Sequence, residues 1–565
     1  MRPPHPTNKA TSYFSLIFAL IVVLSCCYFL FSPLGFVPVP WSDAAPFFLP
    51  WRDLMQWPPL WRMHNQAAFV PYYDEVNFNT LPALTLVLGT GDALGLTKVL
   101  SPTIAFKLIS LLALMGWAWG LWSWLRQGHS YRSNWLVPMV LGMAALWDPT
   151  VRWSTVVIRP EAWVGLIWLV ILKAFWRAQQ KSEPLSSNFF WTISGGLATA
   201  AYFHFDAIVL VPGVVGALMP SRGTHFFKIW LKRLIAIGTR TLGFLSPWLI
   251  YCVWHLPLFL KQMSTQFARL AIPNWGFEHG FFNLLFIEMG SPVKLPAFFK
   301  ISKVLLWFLI VTLTVRLFFT VFVTGLPRSD RDKRQVVLPT ISLELGAGLA
   351  FWASFYLWYS KPEAWFVGIC HFLFWPWLAL TLLSLQEKLG SNTKMKRALV
   401  LMAGGFALVS VSASIVQSKQ MHPSYRWPVF EEWVDCIDSG IQSHVHHDHP
   451  KIWQTHLPDV LVDLAVRHPE YDLTRTLDFY DLKDRAWQFA QTTDAIILSL
   501  DLNEPKNESQ PEAFTRYFGP PRPEDIPRYG AAHFGKRILE EFSPAQWDMK
   551  ICHYGDFWAS VVSRK

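Results

Sequence analysis

The sequence predicts an all-α polytopic membrane domain of about eleven transmembrane helices, followed by a small C-terminal soluble α/β domain. Three observations lead there. Of the 565 residues, 52% are hydrophobic and only 16% charged, where ordinary soluble domains carry about 25% charged residues. The apolar residues gather into eleven runs, near 13–32, 104–125, 134–150, 155–176, 189–203, 206–220, 234–256, 302–324, 337–358, 364–385 and 397–417; a helix needs roughly 20 such residues to cross the hydrocarbon layer. The charge balance also reverses along the chain: residues 1–420 hold 34 Lys and Arg against 16 Asp and Glu, and residues 421–565 hold 15 against 23.

The first run, Tyr13–Phe31, follows a basic start (Arg2, Lys9). It is too long for a signal peptide's apolar core and reads as a retained first helix. The loops that alternate along the chain then sort by charge. Arg126/Arg132, Arg177/Lys181, Arg222/Lys228/Lys232/Arg233, Arg328/Arg331/Lys333/Arg334 and Lys388/Lys394/Lys396/Arg397 fall on one side with the N-terminus, and an excess of Lys and Arg in short loops marks the cytoplasmic face. The opposite face receives the long first outer loop 33–103, the turn around Asp148–Arg159, the His204/Asp206 turn, loop 257–300, the Ser360–Trp365 turn and the tail after 418. The expectation is a multi-pass protein of the inner (plasma) membrane, with a periplasmic or extracellular C-terminal domain. The +10 overall charge therefore belongs to helix-orienting loops and is no nucleic-acid footprint. Neither a Walker A loop nor a Rossmann glycine fingerprint occurs, which argues against a nucleotide-driven pump.

Loop 33–103 mixes Trp41, Phe47, Phe48, Trp51, Trp57 and Trp61 with Asp43, Arg52, Asp53 and Arg62, the pattern of amphipathic helix lying in the interface. Pro46, Pro50, Pro58 and Pro59 are expected to break it into short pieces, and a second interfacial helix is expected over 80–100. In the tail, Val460–Val466 and Ala495–Leu500 read as buried elements, 504–525 as loop, 531–542 as helix and Phe557–Val562 as strand. Cys436 and Cys552 lie in this domain and can pair if it faces an oxidising compartment, although two cysteines alone define no framework. The run His444-Val445-His446-His447-Asp448-His449 offers imidazoles for zinc, yet ligands clustered in one loop close a tetrahedron poorly.

Several charged residues sit where the outer face meets the membrane. Asp43, just beyond the first run, can take a proton from an acceptor hydroxyl or simply cap a helix. Asp74 and Glu75, flanked by Tyr72 and Tyr73, can hold sugar hydroxyls or a divalent metal, or be a solvated loop. Arg159 and Glu161 open the fourth run around Pro160; the arginine fork suits phosphate, and snorkelling to headgroups is the structural alternative. Asp148 and Arg152 share that turn and can pair with each other. His204 and Asp206 interrupt an apolar hairpin at its outer tip, where they can meet a ligand or cap the turn. Lys361 offers a second cation for a phosphate or an interfacial anchor.

Together these positions resemble the GT-C superfamily of integral membrane glycosyltransferases, which includes the aminoarabinose transferase of lipid A and the protein O-mannosyltransferases. The resemblance covers roughly residues 10–420 and rests on order and sidedness more than on any string. It comprises an acid after the first span (Asp43), a second acidic site on the same loop (Asp74, Glu75), Arg159-Pro160-Glu161 at a helix mouth, and a late helix with Lys361, Trp365 and Pro376. A soluble outer domain after the last span also fits. The family's common Asp-Glu pair directly after the first span is absent, since Ala44 follows Asp43; which acid is the base stays open. The resemblance implies inverting transfer of a sugar from a polyprenyl-phosphate donor to a glycan, lipid or protein acceptor, with Asp43, Asp74 and Glu75 catalytic and Arg159, Glu161, His204 and Lys361 binding substrate. It requires no cofactor and tolerates a divalent metal. A lipid or polysaccharide transporter would need charges at mid-bilayer depth, and a non-catalytic scaffold would need no converging outer charges. Reporter fusions test the sidedness: Gln127, Ser182 and Ser329 should report cytoplasm, and Gly280 and Ser439 the outside, whereas a cytoplasmic Ser439 fusion overturns the orientation.

Overall fold

In a computed structural model the described residues are 9–31, 44–55, 65–66, 81–126, 136–181, 185–220, 225–271, 310–318, 340–358, 364–389, 427–446, 448–455, 460–476, 492–498, 545–554 and 557–565, with isolated positions between 401 and 412. The membrane part is helical, as it must be where no water can satisfy backbone N–H and C=O groups. Its helices are α1 (Lys9–Phe31), α2 (Ala44–Met55), α3 (Pro82–Ala93), α4 (Leu96–Val99), α5 (Pro102–Leu125), α6 (Leu136–Leu146), α7 (Pro149–Val156) and α8 (Glu161–Lys181). They continue with α9 (Ser187–Phe203), α10 (Leu210–Ala217), α11 (Phe226–Trp254), α12 (Leu256–Ala271), α13 (Thr340–Trp358) and α14 (Ala364–Leu389). Residues 310–318 are also helical.

By length and composition α5 and α11 alone are apolar spans among the described residues, and α7 with α8 makes a third if the bent pair is taken as one. α5 lies at the centre, with Trp117 and Trp124 fully buried, and Phe18 of α1 stacks on its Trp122 at 4.7 Å. α11 is the opposite case: Phe227, Leu231, Ile235, Leu242, Phe244, Ile250 and Val253 are exposed along it, as suits a helix bathed in lipid.

Four expectations change. The run 155–176 is not one straight helix. It ends α7 at Val156 and restarts as α8 at Glu161, with the axes bent by 120°. Pro160 keeps Arg159 out of the helical region, and Ile158 takes φ +64°, a region that β-branched side chains rarely enter. The run 206–220 becomes a 3-10 turn, Phe205–Val209, leading into α10; its 13 helical residues reach only about 20 Å. Pro46 and Pro50 do not break α2, which carries the first in its opening turn and the second inside, and Pro58 and Pro59 lie outside the described residues. Lys228, Lys232 and Arg233 belong to the first turns of the 29-residue α11 rather than to a loop.

The tail is an α/β unit built from α15 (Trp427–Gln442), β2 (Lys451–Thr455), α16 (Leu461–Arg467), β3 (Asp472–Thr476), β4 (Ala495–Leu498), β5 (Trp547–Tyr554) and β6 (Phe557–Arg564). Its sheet has six strands, and the sixth, β1 (Asn65–Gln66), comes from the first outer loop. The order is β1-β3-β2-β4-β6-β5. β1, β3, β2 and β4 run parallel, and β6 joins antiparallel to β4 and to β5. All four residues of β4 are buried, as a central parallel strand requires. Cys436 on α15 and Cys552 on β5 form a disulfide. Expectations for 504–525 and 531–542 lie outside the described residues.

The tail is locked to the membrane part by polar contacts. Thr103, in the first turn of α5, donates through Oγ1 to Asp463 Oδ2 at 2.5 Å, and its N–H faces Oδ1 at 3.4 Å. A carboxylate from α16 thus caps a membrane helix, favourably for its dipole. Lys107, one turn further along α5, is buried within the field of that carboxylate. On the other side, Arg52 of α2 donates to the carbonyls of Pro469 and Tyr471. Burial pushes the Asp463 carboxyl up to about 6 in spite of the Thr103 bonds. A raised folded-state pKa favours the folded form below it, so stability should fall as pH rises through about 6. Asp463→Ala should cost about 1–3 kcal/mol by leaving the Thr103 donors unsatisfied. Asp463→Asn, whose amide oxygen still accepts, should cost less and flatten the pH dependence, as thermal unfolding from about pH 4 to about pH 7, across the window between the ordinary carboxyl value and about 6, would show.

Candidate functional site

The break between α7 and α8 carries a buried polar cluster. Arg159 Nε donates to Glu161 Oε1 at 2.8 Å. Glu161 stands at the first position of α8, where an acid suits the positive end of the helix. It is fully buried, and its Oε2 has no hydrogen-bond partner among the described residues.

The neighbouring hairpin supplies the rest. Trp163 of α8 stacks on Phe203 of α9, with centroids 5.2 Å apart, which sets the end of α9 beside the start of α8. His204 ends α9 with extended backbone, and its Nδ1 accepts the N–H of Asp206 at 3.2 Å. Asp206 Oδ2 lies 3.1 Å from the same nitrogen. Asp206 is fully buried, and neither carboxylate oxygen completes a hydrogen bond among the described residues. Arg159, His204 and Asp206 all act electrostatically on Glu161. One guanidinium, one imidazole and two carboxylates therefore share a region of low dielectric. Such a group is costly to bury unless paired or used.

A second cluster adjoins the first. Asp148 caps α7 by accepting from the N–H groups of Thr150 and Val151 at 2.8 and 3.3 Å. Its other oxygen meets His371 Nδ1 at 2.8 Å and Trp375 Nε1 at 2.9 Å, both on α14. The Arg152 guanidinium feels Asp148 and Tyr28 and lies 5.5 Å from the centroid of Phe29. Asp148 is thus bonded equally to the start of α7 and to α14, and Arg152, expected to pair with it, lies in its electrostatic field. Between the clusters α14 comes so close to α7 that a side chain at Gly368 would collide with Ser154 Oγ, and its Cβ would lie 3.9 Å from that of Glu161.

Of the residues singled out in the sequence, Arg159, Glu161 and His204 are brought together here. Asp43, Asp74, Glu75 and Lys361 lie outside the described residues; Asp43 immediately precedes α2 and Lys361 lies three residues before α14. His371 and Trp375 were missed by sequence reasoning, because an isolated His or Trp within an apolar run has no local signature. Also missed were Lys107 and the Arg316–Glu344 pair, which closes at 2.7 Å between residues 310–318 and α13. Among the described residues no group of three or more His, Cys, Asp or Glu is arranged to hold a metal ion. In the tail, His444 Nε2 pairs with Asp548 at 2.7 Å and His449 Nδ1 meets the Glu470 carbonyl at 3.3 Å.

Removing one member of a buried ion pair leaves the other charge uncompensated, at about 3–5 kcal/mol. Glu161→Ala should therefore lower stability by that order, and Glu161→Ala combined with Arg159→Ala should cost less than the two single changes summed. Thermal unfolding of the three variants in detergent measures the coupling; additive losses would show that the pair does not act as a unit.

No family model and no curated protein matches the chain. Among solved structures it is similar to the crystal structure of ArnT from Cupriavidus metallidurans in the apo state, with 12% sequence identity, 98% of each chain covered and a TM-score of 0.49.

Proposed function

We propose that the chain is an integral membrane glycosyltransferase that moves a sugar, with inversion, from a polyprenyl-phosphate donor to an acceptor hydroxyl on the non-cytoplasmic face. The observation that carries the reading is the buried Arg159–Glu161 pair, gathered with His204 and Asp206 at a break between membrane helices. The order and sidedness of charged residues in the sequence support it. So does the Cys436–Cys552 disulfide, which suits an oxidising compartment outside the cytoplasm.

In this reaction the donor's chain stays in the bilayer while its phosphate is held by Arg159 and Lys361. Glu161 fixes the plane of the Arg159 guanidinium through Nε, and a planar fork recognises phosphate only when so oriented. Asp43 accepts the proton of the acceptor hydroxyl as its oxygen attacks the anomeric carbon. The bond from that carbon to the phosphate oxygen breaks, and the electron pair leaves with the lipid phosphate. Asp74 or Glu75 orients sugar or acceptor, and His204 lies at the edge of the same polar cluster. No metal is needed to balance the step. The tail, docked over α5 through Asp463, handles the acceptor or a partner.

Sugar transfer in isolated membranes, normalised to the amount of each variant, tests this. Asp43→Asn preserves most helix capping, so a capping role alone predicts near-normal transfer. A general base predicts a loss of roughly 10²–10⁴ in rate. Glu75→Gln is the matched control, and Arg159→Lys should chiefly weaken donor binding. Normal transfer by both carboxylate variants would remove the support for a glycosyltransferase. The transporter reading draws instead on the Arg316–Glu344 pair, whose carboxylate is fully buried; it expects Glu344→Gln, and not Asp43→Asn, to abolish function.

A further inference from the structure

The Asp148–His371 pair is not accounted for by the reaction as drawn. Asp148 is 4% exposed and so is His371. Four nitrogens surround the carboxylate: the N–H groups of Thr150 and Val151, Trp375 Nε1 and His371 Nδ1. Three of these can only donate, so the carboxylate is an acceptor and the Nδ1 that faces it carries hydrogen. This fixes the ring's orientation, as a carboxylate does for a working imidazole; with hydrogen on Nδ1, Nε2 is an acceptor in the neutral ring and a donor in the imidazolium. The opposite nitrogen, Nε2, is buried and has no hydrogen-bond partner among the described residues. Ser154 Oγ, at the α7–α14 contact one turn before His371, is likewise buried without one. Buried polar atoms of this kind are satisfied by water or by a ligand.

The surroundings do not oppose an anion. Arg152, one turn along α7 from Asp148, adds a guanidinium that offsets the Asp148 carboxylate, so an anion at Nε2 meets no uncompensated negative charge and itself favours the imidazolium. The place is also close to Arg159. Glu161, which anchors that guanidinium, lies against Gly368, and Gly368 and His371 are three residues apart on one face of α14. The separation along the helix is about 5 Å.

We infer that His371 is a second contact for the anionic phosphate of a lipid substrate, with Nε2–H as the donor and Asp148 as the group that orients the ring. This rests on the lipid-phosphate reading above. During transfer the phosphate goes from a diester with one negative charge to a monoester with two. The proton of the acceptor goes to the base, and the electron pair of the broken bond stays on phosphate oxygen. A hydrogen bond from an imidazolium strengthens as that charge develops, so it favours the transition state over the bound donor. Asp148 is a positioning residue, since it reaches the phosphate only through the ring.

The test compares two probes that differ only in the anion, a polyprenyl phosphate and the matching polyprenol, binding to the full-length protein in nanodiscs. The wild type should prefer the phosphate. His371→Gln and His371→Phe should lose that preference by roughly tenfold or more, as expected for a hydrogen bond to a charged group, while binding the polyprenol unchanged. Asp148→Asn should lose part of it. A merely structural role would weaken both probes together and leave the ratio intact, and that result overturns the inference. If His371→Phe does not fold, the ratio for His371→Gln decides. Arg159→Lys separates this inference from the reading beneath it. Loss of preference in Arg159→Lys with retention in His371→Gln removes His371 alone, whereas a wild type that binds both probes equally removes the lipid-phosphate reading as well.

Discussion

The buried polar clusters depend on one constraint: the chain cannot continue as a helix between Val156 and Glu161. Pro160 forbids helical backbone at Arg159, and Ile158 turns the chain in a left-handed conformation. At the other end of the short α7, Asp148 separates it from α6 and caps its first turn. The result is a 120° bend that leaves α7 pressed on α14 and puts Glu161 at a helix start inside the protein. Without the bend, Arg159 and Glu161 would be ordinary residues partway along a span. With it, they stand at a helix mouth beside the end of α9, and the second cluster around Asp148 lies one turn away on α14. The strain at Ile158 fits a backbone over-determined by its surroundings; here those are the cap at Asp148 and the close contact at Gly368.

How much of this was legible depends on the range of the forces. Apolar runs and basic loops are local signals, and they located α1, α5, α8, α9, α11, α13 and α14. The break at 157–160 lay within reach, because Pro160 and the cap at Asp148 are sequence features, but averaged hydropathy passes over a short apolar helix on one side and a long one on the other. Residues Arg159, Glu161 and His204 were found because charge at a helix mouth is conspicuous. His371 was not found, since its partner Asp148 is 223 positions away and nothing near it differs from core. The same holds for Thr103 and Asp463, 360 positions apart. The strand β6 announced itself by its apolar residues and β4 was readable only as a buried element, whereas the two-residue β1 has no pattern long enough to read.

The tail is continuous with the first outer loop in a structural sense. That loop sends β1 into the tail's sheet and Arg52 onto its carbonyls, and α5 receives the tail's Asp463. The segment that carries Asp74 and Glu75 is thus bounded on both sides by elements fastened to the tail, and Asp43 directly precedes α2, the first of them. The acidic character of residues 421–565 does not repel this partner, because the contacts made are hydrogen bonds from arginine and threonine to carbonyls and a buried carboxylate.

These attachments set an order of assembly. β1 is made when some four hundred residues still separate it from its partner β3, and Thr103 precedes Asp463 by 360. Contacts of such long range bear a large loop-closure entropy and form slowly. The helices can insert one after another as they emerge, but the sheet cannot close until synthesis has passed β6, and Cys436 must wait for Cys552, 116 positions later. During that interval the interfacial segment lacks its edge pairing and α5 its cap. The protein therefore passes through a stage in which its membrane helices are in place and the sheet of the tail is still open. Exposed strand edges in that stage invite wrong pairing, which makes the tail's sheet, rather than the helices, the place where its folding is most easily lost.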